Sequence, residues 1–235
     1  MISFIVPAHN EALLIGATLA ALHAAARAVG VAYEIVVVDD ASTDGTARIA
    51  GDDGARVVTV AHRHIAAARN AGAGAARGAY LVFVDADTLV DAAVVAAALD
   101  AMRAGAAGGG ATVRLHGPVG AHERWGVIGL GWLFRLTRIA PGCYVFCTRA
   151  AFDAVGGFNE TYYAGEDVAM IRALARQGRF VILRQPVHTS ARKLRTFSIS
   201  DHLRLLLRFT LSGRRLLKSR HGLDLWYGER RDDWR

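Results

Sequence analysis

Cysteine is scarce in this 235-residue chain, which holds only Cys143 and Cys147. They flank Tyr144-Val145-Phe146 in what reads as a strand. Extended geometry there puts both thiols on one face but too far apart to join, so no disulfide between them is expected. No cysteine–histidine spacing suits zinc. Reduced thiols, and the lack of a signal segment ahead of the first predicted core strand, lead us to expect a cytoplasmic protein. Repeats and low-complexity tracts are missing too, apart from Ala/Gly enrichment such as residues 104–110, which is expected to close a helix and begin a connector. Residues 125–134 form a ten-residue apolar run stopped by Arg135, well short of the ~20 residues that span a bilayer. That run is expected to be a core or acceptor-pocket helix, with an interfacial aromatic segment as the alternative.

With 53% hydrophobic residues, the chain has enough apolar surface to bury one full sheet between helix layers. Its net charge of +7 is uneven: residues 1–191 hold 16 basic and 16 acidic side chains, and residues 192–235 hold 12 and 5. In that tail Ile199, Leu203, Leu206, Leu207, Thr210 and Leu211 recur at helical spacing, with Arg204 and Arg208 on another side and Arg214, Arg215, Lys218 and Arg220 following. A basic amphipathic helix of this kind either lies on an anionic membrane surface or docks on the core with its arginines in water. Trp226, Tyr227 and Trp234 beside these charges raise nucleic-acid binding. No recognisable nucleic-acid module accompanies them, so no nucleic-acid partner is expected.

Chemistry concentrates where strands end. Leu81-Val82-Phe83-Val84 reads as a strand buried on both faces, followed by Asp85-Ala86-Asp87. In an open α/β sheet ligands bind at the carboxyl ends of strands. Two carboxylates one residue apart in extended chain face one way, and with phosphate oxygens they suit Mg²⁺ or Mn²⁺. The plainer alternative makes Asp87 or Thr88 the N-cap of the next helix. Ile2-Ser3-Phe4-Ile5-Val6 is a strand expected to break at Pro7, leading through Ala8-His9-Asn10-Glu11 to a helix carrying Leu13, Leu14, Ile15, Leu19 and Leu22. A strand at 33–38 runs into Asp39-Asp40-Ala41-Ser42-Thr43-Asp44-Gly45-Thr46. Arg69-Asn70-Ala71-Gly72 lies in the helix before the acidic strand, where a guanidinium is expected to reach a diphosphate.

Taken in order, IVPAHNEA, VVDDASTDGT, ARN at 68–70, VDAD, VGGF at 155–158 and GED at 165–167 resemble the inverting glycosyltransferases of the GT-A fold. The likeness is to the large family that includes polysaccharide synthases and small bacterial sugar transferases, and it covers roughly residues 2–190. It implies an α/β fold with a Rossmann-like, mostly parallel sheet flanked by helices. Within a catalytic domain at 1–198, residues 1–110 would bind nucleotide and metal and 111–198 would supply base and acceptor surface, with 199–235 as the basic tail. By the same resemblance Pro7, Ala8 and Glu11 contact nucleotide, Asp40 reads the base edge and Arg69 lies near the nucleotide. Asp87 ligates the metal, Asp85 lies near the ribose or reaches the metal through water, and His188, after a strand at 180–183, is a third ligand. Glu166-Asp167 is the acidic pair, with Asp167 as catalytic base; helix capping is its plainer explanation.

Inverting transfer needs one group to take the proton of an acceptor hydroxyl while metal and basic groups neutralise the departing nucleotide diphosphate. Backbone N–H groups at the start of a helix would keep Asp167 ionised but weaken it as a base. The Gln-x-x-Arg-Trp string of processive synthases does not occur; Arg184-Gln185-Pro186-Val187-His188-Thr189-Ser190-Ala191-Arg192-Lys193 stands in its place. Transfer of a single sugar is therefore expected, with Arg192 and Lys193 approaching the donor pyrophosphate. The expected partners are a nucleotide diphosphate sugar and an acceptor hydroxyl, on a lipid-linked, cell-envelope or exopolysaccharide precursor. A peripheral membrane contact through 199–220, at the inner face of the cell membrane, belongs with that acceptor. Two alternatives are a sugar nucleotidyltransferase, which would carry a glycine-rich phosphate loop with a basic residue near the N-terminus, and a non-catalytic nucleotide-sugar-binding protein of the membrane surface.

Overall fold

The computed structural model describes residues 1–116 and 142–190 together with Leu217. The apolar run at 125–134, Arg192, Lys193 and the expected basic helix at 199–220, apart from Leu217, lie outside the described residues. Eight strands form one sheet: β1 (Ile2–Ala8), β2 (Tyr33–Asp40), β3 (Arg56–Val60), β4 (Tyr80–Val84), β5 (Thr88–Leu89), β6 (Ala106–His116), β7 (Tyr144–Thr148) and β8 (Arg179–Ser190). Their order is β3-β2-β1-β4-β7-β6-β8-β5. The first four are mutually parallel, and β6 and β8 are parallel to each other, whereas β7 runs antiparallel to both β4 and β6. One sheet thus runs across position 110, which falls inside β6.

Central strands are buried on both faces, as their unbroken apolar runs predict. Val82 and Val84 pack on one side with α1 (Ile15–Val29) and α4 (Ala92–Arg103), while Leu81 and Phe83 pack on the other with α3 (Ile65–Ala75), α5 (Arg149–Val155) and α6 (Glu166–Gln177). The short α2 (Thr46–Asp52) adds Ala50 to the first face. Phe83 meets Phe158 edge-on at 4.9 Å and stacks on Phe152 at 5.6 Å, so the VGGF turn is anchored directly beneath the acidic strand.

Several local expectations are corrected. The first strand does not break at Pro7: β1 runs to Ala8, with Pro7 paired to Val38. Pairing with β4 ends at Ile5, so the missing N–H falls where one edge of β1 is already unpaired. Leu13 precedes α1 and is exposed. Residues 106–110 are not a connector but the start of β6, because a Cβ on Gly109 would lie 2.2 Å from both the Phe146 ring and the Val181 carbonyl. Only glycine lets β6 lie that close to both β7 and β8 at this position. Cys143 and Cys147 are both free, as expected, but do not share a face: Cys147 packs on the α3 side, whereas Cys143, in the turn before β7, packs on the opposite side.

Candidate functional site

Three loops leave the carboxyl ends of β1, β2 and β3 side by side, and each contains one residue with a left-handed backbone: Asn10 (φ 52°), Ala41 (φ 56°) and Arg63 (φ 49°). These are the non-glycine residues of positive φ among those described, and such strain persists where surrounding bonds over-determine it. Those bonds are present. Asn10 accepts from the Thr43 N–H at 2.7 Å, Ala12 donates to Asp44 at 3.1 Å, and the Glu11 N–H donates to the Thr46 hydroxyl at 2.8 Å. Glu11 is buried beneath this lacing, and Pro7 and Ala8 lie at the end of β1 beside Val38 and Asp39. Hydrogen bonds from Thr46 and Ala12 outweigh the burial of the Asp44 carboxyl and hold its pKa low.

Asp40, expected to read a base edge, accepts from the backbone N–H groups of Arg63 (2.7 Å) and His64 (2.9 Å). It thereby fixes the turn into α3. The Arg63 guanidinium lies against the His9 ring, and His64 packs on Tyr163 with ring centroids 4.5 Å apart. Burial lowers the His64 pKa, favouring its neutral form. Neither His9, Arg63, His64 nor Tyr163 announces itself in the sequence, because each belongs to a loop whose partner is remote in the chain.

The second centre is built around Arg69. Its helix sits hard on the sheet, since a Cβ on Gly72 would fall 2.5 Å from Ile5 and 2.7 Å from Val38. The Arg69 side chain, only 2% exposed, is therefore enclosed. Its Nη2 donates to Asp85 at 2.9 Å and to the Gly142 carbonyl at 3.1 Å, and its Nη1 donates to Glu166 at 2.9 Å. The Phe158 ring lies 5.2 Å from the guanidinium carbon. Rather than standing open to a diphosphate, this cation is surrounded by carboxylates.

Those carboxylates are crowded. Burial pushes the Glu166 carboxyl up to about 7, with Arg69 pulling it down and Asp167 pushing it further up. Asp167 is also raised by burial, against the pull of Arg69 and of the Val168 N–H, which donates to it at 2.7 Å. Burial thus outweighs the helix N–H groups expected to favour the ionised form of Asp167 and leaves its pKa raised. For Arg69, burial opposes the charge and the carboxylates of Asp85, Glu166 and Asp167 more than restore it, so the guanidinium is firmly cationic. Gly142 completes the packing: a Cβ there would lie 2.2 Å from an Asp167 carboxylate oxygen.

Asp85 and Asp87 are related by a turn rather than by strand alternation. β4 ends at Val84, and the Thr88 N–H closes a turn onto the Asp85 carbonyl at 3.0 Å. Asp85 faces Arg69, while Asp87 lies against β5 and β8, with the Thr88 and Thr189 hydroxyls 3.5 and 3.4 Å from its carboxylate. The helix-cap explanation fails: α4 is capped by Asp91, which accepts from Val94 at 2.9 Å, and Thr88 sits in a strand. His188 lies inside β8, not after a strand. His188 pairs with Leu89 of β5, next to the Thr189 hydroxyl that lies 3.4 Å from Asp87. Among the described residues no three His, Cys, Asp or Glu side chains form a metal cluster. Two hard carboxylates at a turn, with further ligands left to phosphate oxygens, are nevertheless a donor set that suits Mg²⁺ or Mn²⁺.

Residues 3–156 match the family model described as "Glycosyl transferase family 2". The chain belongs to glycosyl transferase family 2. This family 2 chain is 41% identical over 93 residues to the succinoglycan biosynthesis protein ExoO of Rhizobium meliloti (strain 1021), a match that takes in 38% of the chain and 26% of that protein. Among solved structures, the mannosyltransferase PcManGT from Pyrobaculum calidifontis, in complex with GDP-Man and Mn²⁺, is similar with a TM-score of 0.64 at 22% identity, over 91% of this chain and 64% of that one. TarS 1-349 of S. aureus, in complex with UDP, is similar with a TM-score of 0.61 at 18% identity, over 91% and 73% of the two chains. These likenesses show a shared fold, the α/β fold with a mostly parallel sheet expected for this family 2 chain. Among the described residues no helix is long and apolar enough to cross a membrane.

Proposed function

We propose that the chain transfers one sugar from a nucleotide diphosphate sugar to an acceptor hydroxyl, with inversion, and that it uses Mg²⁺ or Mn²⁺. The observation that carries this reading is the buried Glu166–Asp167 pair, with raised pKa values, joined through Arg69 to Asp85 at the end of β4. A carboxylate of raised pKa is a stronger base than an ordinary one, which a poor acid such as a sugar hydroxyl requires. Asp167 takes the hydroxyl proton as the oxygen attacks the anomeric carbon, and the bond from that carbon to the donor phosphate breaks on the opposite face. Glu166 keeps its place beside Asp167 through Arg69. Pro7, Ala8, Glu11 and Asp40 line the nucleotide end, and Asp87, with help from Asp85, would hold a metal ion that would supply positive charge to offset that of the diphosphate leaving group.

Arg192 and Lys193 are proposed to approach that diphosphate. The ExoO likeness favours a polysaccharide precursor as acceptor. The basic segment 199–220 is proposed to bring the protein to the membrane face where a lipid-linked acceptor lies, at the cytoplasmic side. The test combines titration of UDP and GDP, with Mn²⁺ or EDTA, with consumption of the matching nucleotide sugar. Asp87→Ala is expected to abolish metal-dependent nucleotide binding, and Asp167→Asn to retain binding and lose turnover. Normal turnover in Asp167→Asn removes the base assignment. Deleting residues 199–235 is expected to reduce association with anionic vesicles, and unchanged association removes the membrane contact.

A further inference from the structure

The most connected side chain outside the reacting groups is Arg69, and its bonds are those of a tether. It sits on α3, on the nucleotide-binding side of the sheet, yet one arm of its fork holds Asp85 and the other holds Glu166, 97 residues away. The next residue performs a matching task on the backbone. Asn70 Oδ1 accepts from the Phe158 N–H at 2.8 Å, and its Nδ2 donates to the Phe158 carbonyl at 2.9 Å and to Glu160 at 2.8 Å. Phe158, gripped at both backbone groups by Asn70, then presents its ring to the Arg69 guanidinium. Gly157 (φ 78°) makes room, because a Cβ there would lie 2.8 Å from Asn70 Oδ1.

Two consecutive residues of one helix thus hold the turn at 157–158 and the start of α6 against the end of β4. A guanidinium is suited to this work, since its rigid planar fork meets two carboxylates in fixed directions, which a lysine ammonium does not. Among the described residues the Arg69 Nε–H is buried without a hydrogen-bond partner, and the guanidinium is oriented by its bonds to Asp85, Glu166 and the Gly142 carbonyl together with the Phe158 ring. We propose that Arg69 is a positioning residue rather than a donor ligand, and that with Asn70 it sets the distance and angle between the donor end of β4 and the base Asp167.

This inference rests on the proposed transfer reaction, and the experiment separates the two. The parent chain is titrated with UDP and UMP, and with GDP and GMP, in Mn²⁺, and consumption of the matching nucleotide sugar is measured. Failure of the parent to bind any of these defeats the proposed reaction and the tether with it. When the parent binds, the ratio of diphosphate to monophosphate affinity reads any contact with the second phosphate. In Arg69→Lys that ratio is expected to stay within about twofold of the parent while turnover falls on the order of 10²-fold, as misplacing a reacting group by about 1 Å does. Asn70→Ala leaves the ion pairs in place and is expected to show the same split, with a fall on the order of tenfold, by the same misplacement argument. It carries the test if Arg69→Lys does not fold. A tenfold or greater loss of the diphosphate preference in Arg69→Lys overturns the proposal in favour of a donor ligand. Unchanged turnover in Arg69→Lys or in Asn70→Ala overturns it as well.

Discussion

Replacing Glu166 with glutamine tests the electrostatics of the site directly. Glu166 is buried beside Asp167, with Asp85 nearby and Arg69 as the counter-ion they share. Its carboxyl is raised from 4.5 to about 7, so between those pH values the folded protein keeps a proton that the unfolded chain has lost. Stability from this group is therefore complete below pH 4.5 and is lost as pH rises through about 7. The slope reaches at most about 1.4 kcal/mol per pH unit, and the whole window sums to on the order of 3 kcal/mol. Glutamine imitates the protonated form and does not titrate. The parent and Glu166→Gln are expected to be similar near pH 5, with the variant increasingly the more stable towards pH 8. At about 2–4 °C per kcal/mol for a chain of this size, the difference in Tm grows to roughly 10 °C. Urea or thermal unfolding of both proteins without added metal, in half-unit steps of pH, measures it. A difference that is flat, or that favours the parent at high pH, would refute the account of a crowded carboxylate pair.

Two further predictions address geometry. Gly142→Ala places a methyl group against the Asp167 carboxylate; it is expected to cost about 1–3 kcal/mol of stability by overpacking and to lower donor consumption more than nucleotide affinity, and normal turnover would show that Asp167 is not held where described. Ala41→Gly removes the strain of a left-handed alanine (φ 56°) beside Asp40 and is expected to stabilise the fold by about 1 kcal/mol, a gain of a few degrees in a melting experiment; a loss of stability would count against that backbone conformation.

What the sequence determined by itself is the set of parts and their order. Strands at the start of the chain, at 33–38 and at 81–84, and helices between them, follow from apolar periodicity, a local property that survives the folding of everything else. So does the position of the acidic and polar residues at strand ends, because a strand buried on both faces has no other place for them. Tertiary structure alone decided how those parts act. That Arg69 is a shared counter-ion and not an open phosphate ligand depends on Glu166, 97 residues away. That Asp87 meets Thr189 depends on the pairing of β5 with β8, 102 residues apart at that contact. The glycine run at 108–110 reads locally as a break, yet it lies inside β6, where Phe146 and Val181 leave no room for a Cβ at Gly109. Charge and pKa obey the same division: the sequence names the carboxylates, but burial and crowding, which raise Glu166 and Asp167, exist only once α6 is pressed against α3 and the end of β4.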